Sequence, residues 1–316
     1  MGGLRELLRP PPHRGPLIAA GGVALAVGVA VTVMRLQSRL ALGVLVLIVL
    51  VAGALLFWLG AQAPNEDGKP PAYQSVLLAT GLPFVYAGLL LLATALGANF
   101  DEGLPAGAFL WTSALAATLA LWPALERNSA ISLMFAAILV GVALLAGWAW
   151  VFGPSATAFR WLLLLYAFAL LLSSLALREP ARRHAEVLID AGGLAIVAIA
   201  VTAIIEDVPL PGFWELVLLA AGFGLVAFGA LDRSPGPAYL GVVILVLFIL
   251  SAAAGDDPTL YGWPLFLLVA GIAMLAAGLR PRRPLPPEPS PYRAGEAPLA
   301  ARADDSEIVV QVRDDS

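Results

Sequence analysis

Long apolar runs alternate with short polar connections along most of the chain. A helix that crosses the hydrocarbon core of a bilayer needs about 20 mostly apolar residues at a rise of about 1.5 Å each. Ten runs meet this requirement, which predicts an all-α, polytopic integral membrane helical bundle of about ten transmembrane helices. The predicted spans are 16–34, 40–60, 74–97, 106–124, 130–152, 157–177, 184–205, 213–231, 237–253 and 259–279.

Composition strengthens the membrane assignment. The 316 residues are 60% hydrophobic and 13% charged, whereas soluble domains carry about 25% charged residues. Because the connections are short, no soluble catalytic domain fits between the spans. The chain has no cysteine and two histidines, too few for a zinc cluster, and it has no G-x-S-x-G, H-E-x-x-H or Walker-type motif. We therefore expect no enzymatic activity, no metal and no cofactor.

Basic residues predict the orientation in the membrane, since cytoplasmic loops retain Arg and Lys. If the N-terminus is inside, the outer connections hold only Arg35, Arg39 and Arg160, and the other span connections hold far more. The abundance of Arg, Ala, Gly and Pro is typical of GC-rich bacteria. We predict a multi-pass protein of the bacterial cytoplasmic (inner) membrane with both termini cytoplasmic. The lipid bilayer is the expected partner, and nucleic acid is not, because no basic domain exists to bind it.

Two short charged segments between apolar runs, which we call corners, indicate an internal repeat. The segments ALER (124–127) and ALDR (230–233) lie 106 positions apart, and Leu104-Pro105 matches Leu210-Pro211 at the same offset. We interpret both corners as cytoplasmic turns that mark topology. The order of features predicts two parallel four-helix units, spans 3–6 and 7–10, after a leading hairpin. The predicted segments are a basic cytoplasmic N-terminus 1–15, a hairpin 16–61, units 74–183 and 184–280, and a tail 281–316.

The predicted tail is rich in Pro and charge, as in disordered segments. It contains EIVVQV (307–312), which is a candidate strand for pairing with the sheet of a protein partner. A tail that is only solvated is the simpler alternative.

Span 7 carries the deepest ionisable residue of the chain. Asp190 lies six residues inside the span, and Glu186 precedes it by one turn on the same face. Gly192 and Gly193 follow directly. Because a charged group in hydrocarbon is costly, it indicates a functional site by default.

Span 3 has a helix-breaking segment at the corresponding place. Gly81 and Pro83 lie where Asp190–Gly193 lie in the second unit, and Thr80 and Tyr86 supply nearby polar groups. Matched interruptions in two repeats are typical of transporter binding sites. This favours a transporter-like protein that binds or moves a small solute or cation near spans 3 and 7.

Two alternatives stay open. Asp190 and Glu186 can instead pair with Arg178, Arg182 or Arg183 at the headgroups, while the glycines permit close helix packing. In that case, the protein is a non-catalytic membrane scaffold or a subunit of a membrane complex.

Overall fold

All regular structure in the described residues is helical. The computed structural model describes residues 14–63, 71–100, 105–206 and 212–253, together with residues 269, 271 and 272. The chain divides into two compact units, 1–256 and 257–316, and the following helices belong to the first. They are α1 Gly15–Leu36, α2 Leu42–Gln62, α3 Ala72–Ala95, α4 Ala106–Glu126, α5 Ala130–Phe152, α6 Ala156–Leu177, α7 Arg182–Glu206, α8 Gly212–Asp232 and α9 Pro235–Ala253.

These helices confirm the predicted fold class, a polytopic all-α membrane bundle. Eight of them, α1 to α8, are long and apolar enough to cross a membrane, judged by length and composition. In α9 the apolar segment Pro235–Leu250 is shorter. The helices α1 to α9 coincide with the first nine predicted spans to within a few residues at each end, so the predicted number of about ten is approximate.

Three predicted segments fall wholly or largely outside the described residues. The tenth span, 259–279, is described only at residues 269, 271 and 272, and the tail 281–316 is not described. The N-terminal segment 1–15 is described from residue 14. Domain boundaries and the role of the tail therefore stay predictions.

Local sequence signals explain where several helices begin and end. Ser129 caps α5 by accepting a hydrogen bond from the backbone N–H of Ser132 at 3.5 Å, and Ser155 caps α6 in the same way at 3.4 Å to Ala158. After α5, Gly153 has a φ of 85°, which suits a residue without a Cβ.

The helices pack in an order that repeats along the chain. The odd-numbered helices form a row in which α1 packs on α3, α3 on α5, α5 on α7, and α7 on α9. Each even-numbered helix packs extensively on the odd one that follows it and more lightly on the one before it. Every contact among α1 to α5 thus recurs among α5 to α9. The same order also repeats every two helices, so the structural period is shorter than the predicted four-helix unit.

Glycines bring the α2–α3 hairpin into backbone contact. A Cβ at Gly81 would lie 2.7 Å from the backbone N of Phe57, and one at Gly53 would lie 2.7 Å from the backbone N of Val85. Small residues let helix backbones approach closely in membranes. The α8–α9 hairpin uses the same device, since a Cβ at Gly241 would lie 2.6 Å from the carbonyl oxygen of Gly222.

Candidate functional site

The predicted site residues of α3 lie inside closely packed helices. The helix continues without interruption through Pro83, and Gly81 faces the backbone of α2. Thr80 donates its hydroxyl to the carbonyl oxygens of Val76 and Leu77, at 2.9 and 3.1 Å. Tyr86 shares a hydrogen bond of 3.0 Å with Ser113 of α4. These polar groups are thus satisfied within the protein.

The acidic residues of α7 have different surroundings. Glu186 forms an ion pair with Arg182 one turn earlier, with 3.1 Å between Arg182 Nε and Glu186 Oε1. Asp190 lies over the first turn of α9, where a Cβ on Gly236 would be 2.6 Å from Asp190 Oδ1. That oxygen is buried and has no hydrogen-bond partner among the described residues. The ion-pair alternative therefore holds for Glu186, while Asp190 packs against the backbone of another helix.

The structure does not bring the two halves of the predicted site together. Helix α5 packs against both α3 and α7, whereas α3 and α7 do not pack extensively against each other in the described residues. Helix α7 also continues through Gly192 and Gly193. The eight predicted residues therefore form two separate groups, one on α3 and one on α7. Their role in solute binding stays a prediction.

A large apolar cavity of the described helices is a groove between α6, α7 and α8. It has a volume of about 590 Å³. Its walls are α6 from Leu164 to Leu175 and α8 from Phe213 to Phe228, and its floor is α7 from Ile189 to Ile196. Gly192 and Gly193, which belong to the predicted site, lie on this floor. Every lining side chain except that of Ser174 is apolar. We call this cavity the α6–α8 groove.

Aromatic rings pack together near one end of the α6–α8 groove. Trp161 of α6 stacks on Phe213 of α8 with ring centroids 5.4 Å apart, and it meets Trp214 edge-on at 5.0 Å. Trp214 is 4% exposed. The contact joins the N-terminal parts of α6 and α8, at what we call the Trp161 end.

Charged side chains lie beyond the opposite end. Arg178, directly after α6, bonds Asp232 at the end of α8 through Nη2 and Oδ1, 2.7 Å apart. Arg182 reaches the same oxygen at 3.9 Å. The Arg178 guanidinium also lies 5.8 Å from the ring centre of Phe228, a lining residue of the groove. We call this the Arg178 end.

The dimensions of the α6–α8 groove accommodate an extended apolar chain. Its lining extends over about 16 Å of α6 and about 22 Å of α8, at a rise of 1.5 Å per residue. An extended hydrocarbon chain is about 4 to 5 Å across at the usual carbon contact distances. A cavity of about 590 Å³ over this length has room for one such chain.

Among the described residues, the lining of the groove has no recognisable catalytic group. Its only hydroxyl belongs to Ser174, and among the described residues no three His, Cys, Asp or Glu side chains are grouped to hold a metal ion. Sequence reasoning found Gly192 and Gly193 but not the groove. The one signal was the set of small residues Ala220, Ala221 and Gly224 on α8.

Comparison with known proteins does not assign this site. No protein-family model matches the chain, and no curated protein or solved structure matches it.

Proposed function

We propose that this multi-pass membrane protein binds a long apolar or amphipathic molecule from the bilayer in the α6–α8 groove. In this proposal the protein is a non-enzymatic lipid-binding protein, with a transporter-like architecture of repeated helices. The single observation that carries it is the groove itself, which is apolar along its length and has an aromatic cluster near one end and an ion pair near the other.

The dimensions of the groove support a ligand rather than a packing defect. Binding pockets for small molecules have volumes of about 300–1,000 Å³ and are lined mostly by apolar side chains. The α6–α8 groove, at about 590 Å³, lies within this range. Defects between packed helices are much smaller, since protein interiors leave few voids larger than a water molecule.

The same geometry favours an amphiphile over a water-soluble solute or cation. Asp190, the residue that the cation hypothesis needs most, is not among the lining residues of the groove. It lies against Gly236 instead. Thr80 and Tyr86 are hydrogen-bonded within the α3 and α4 region. A polar path through α3 and α7 would require these helices to separate from α5.

For the cellular setting, the composition supports a bacterial cytoplasmic membrane, and the distribution of arginines supports an orientation with both termini inside. In that orientation, Arg178 and Arg182 lie at the cytoplasmic leaflet. A protein partner for the tail remains part of the proposal, on the sequence of the EIVVQV segment alone.

The proposal is tested by filling the groove. Gly224 lies on the groove wall, and a Cβ there meets no atom within 4 Å, so Gly224→Phe adds a ring in open space. The wild-type protein is reconstituted in vesicles of phosphatidylethanolamine and phosphatidylcholine, extracted in mild detergent, and weighed by native mass spectrometry. We expect one retained phospholipid in the wild type and its loss, by roughly tenfold in occupancy, in Gly224→Phe.

A matched variant controls for a change in bulk at the lipid surface. Gly28 of α1 is also exposed with no atom within 4 Å of a Cβ, but it lies outside the groove. Gly28→Phe should retain the lipid as the wild type does. Equal retention by all three proteins would overturn the proposal. It would instead favour a scaffold, a role that the closely packed α2–α3 hairpin already suits.

A further inference from the structure

The Arg178 end of the groove continues into a second, smaller cavity. This cavity has a volume of about 20 Å³ and is bordered by Arg178, Arg182, Glu186 and Asp232. Four residues line both cavities: Ser174, Leu175, Ile189 and Phe228. An apolar chain in the groove would therefore lead directly to a cluster of four charged side chains.

The charges in this cluster balance. Two guanidinium groups face two carboxylates, with Asp232 contacted by Arg178 at 2.7 Å and by Arg182 at 3.9 Å, and Glu186 by Arg182 at 3.1 Å. The Arg178 and Arg182 side chains are 52% and 66% exposed. Since each guanidinium carries five N–H donors, both arginines keep donors for an additional acceptor.

A cluster with equal numbers of positive and negative side chains favours a headgroup that carries one charge of each sign. A phosphate accepts hydrogen bonds from arginine in a forked geometry, and a primary ammonium can donate to the carboxylates of Asp232 and Glu186. A headgroup that carries both groups adds no net charge to the cluster. An anionic headgroup brings a net negative charge beside the two carboxylates and has no cation to pair with them, and a trimethylammonium has no N–H to donate.

From this geometry we propose that the groove binds a zwitterionic phospholipid with a primary amine, of the phosphatidylethanolamine class. One acyl chain occupies the α6–α8 groove. The phosphate binds Arg178 and Arg182, and the ammonium binds Asp232 and Glu186. This inference rests on the proposed function, because it requires a chain in the groove.

Headgroup competition on the wild-type protein tests the inference without any mutation. The protein is reconstituted in vesicles with equal amounts of phosphatidylethanolamine, phosphatidylcholine and phosphatidylglycerol that share the same acyl chains. The retained lipid is then identified by native mass spectrometry. We expect phosphatidylethanolamine to exceed each of the others by roughly fivefold, the effect of about one net hydrogen bond. Retention in proportion to the vesicle composition would overturn the headgroup assignment.

Charge variants give a second, independent measurement. Arg178→Gln and Arg182→Gln should each lower the preference for phosphatidylethanolamine severalfold. Arg183→Gln is the matched control, because Arg183 is exposed in the same turn of α7 but borders neither cavity. An equal loss in all three variants would indicate a general surface charge effect and contradict the inference.

The two proposals fail in different ways. If Gly224→Phe abolishes lipid retention while headgroup and arginine have no effect, the groove binds a chain and only the headgroup assignment is wrong. If Gly224→Phe retains lipid as the wild type does, the chain site itself is wrong.

Discussion

Helices α3 and α7 occupy corresponding places in the helix order and pack on corresponding neighbours, but their glycines differ in how closely they are covered. Both pack extensively on the helix before them, lightly on the helix after them, and on α5. In α3, Gly81 is covered by the backbone of α2. In α7, Gly192 has the carbonyl oxygen of Ala167 at 3.5 Å from a Cβ position and borders the open groove. The same residue type therefore seals one hairpin and lines a cavity in the other.

The difference arises from the side chains that reach between the flanking helices. In the first half, Phe57 of α2 contacts Trp122 of α4, with ring centroids 6.1 Å apart, and packs on Leu78, Leu82 and Ala120. Trp122 corresponds to Phe228 at the offset of 106.

In the second half, the residue over Phe228 is Arg178, beyond the end of α6. No aromatic side chain of α6 takes the place of Phe57 against the described part of α8 at this depth, and the space stays open as the α6–α8 groove. The packed side chains between α2 and α4 contribute to stability, whereas the space between α6 and α8 offers a surface for a ligand.

The largest expected effect on stability is at the closely packed α2–α3 hairpin. Gly81→Val places a Cβ 2.7 Å from a backbone nitrogen that cannot move without shifting α2. We expect a loss of about 3 kcal/mol or more in the free energy of unfolding, measured by denaturation in detergent micelles. Gly224→Val is the control, since it has the same change in helix propensity but meets open space. Similar losses in both variants would contradict the contrast between the halves.

The next largest difference in stability is expected between two phenylalanine variants, one in each half of the protein. Phe57→Ala removes the side chain that fills the space between α2, α3 and α4, and we expect a cost of about 3 kcal/mol. Phe168→Ala, on the groove and 57% exposed, should cost less than about 1 kcal/mol. Both values come from the same denaturation measurement. A cost for Phe168→Ala that equals that of Phe57→Ala would mean that the groove is closed in the bilayer.

Asp190 and Gly236 should show a moderate, coupled effect. A Cβ at Gly236 would lie 2.6 Å from Asp190 Oδ1. Gly236→Ala should therefore destabilise the wild type by about 1–2 kcal/mol. In the Asp190→Ala protein the same substitution should cost less, because the carboxylate is gone. A double-mutant cycle measures this coupling, and additive effects would show that the contact does not form.

The smallest effect on stability is expected for the exposed ion pair. Because the Arg178 side chain is 52% exposed, removing its pair with Asp232 should cost less than about 1 kcal/mol. A cycle of Arg178→Gln and Asp232→Asn, measured by denaturation at low and high salt, checks this value. A coupling free energy well above about 1 kcal/mol would mean that Arg178 acts mainly in folding. In that case, only the headgroup competition on the wild-type protein would test its role in lipid binding.

The helices could be predicted from sequence because each span satisfies its own backbone hydrogen bonds in lipid. Apolar run length alone places α1 to α9 to within a few residues. The Glu186–Arg182 pair could also be predicted from the sequence, since residues four apart on a helix are neighbours.

The groove was not predictable, because it depends on the distance between α6 and α8, which are separated by all of α7. Nothing near Asp190 in sequence indicates that Gly236 will lie beside it. Asp232 was interpreted as part of a topology-marking corner. The structure pairs it instead with Arg178 and Arg182, across the ends of two other helices. Tertiary neighbours of this kind leave no periodic pattern in a single sequence.

The central claim, that the α6–α8 groove holds an acyl chain while the α2–α4 side is sealed, is tested most directly by photo-crosslinking. A phosphatidylethanolamine with a diazirine in its acyl chain is reconstituted with the full-length protein, irradiated, and the labelled residues are mapped by peptide mass spectrometry. We predict labelling concentrated on groove residues such as Ala220, Ala221 and Gly224, well above that around Phe57, and its loss in Gly224→Phe but not in Gly28→Phe. Labelling spread evenly over the exposed faces of all helices, and unchanged in Gly224→Phe, would contradict the account.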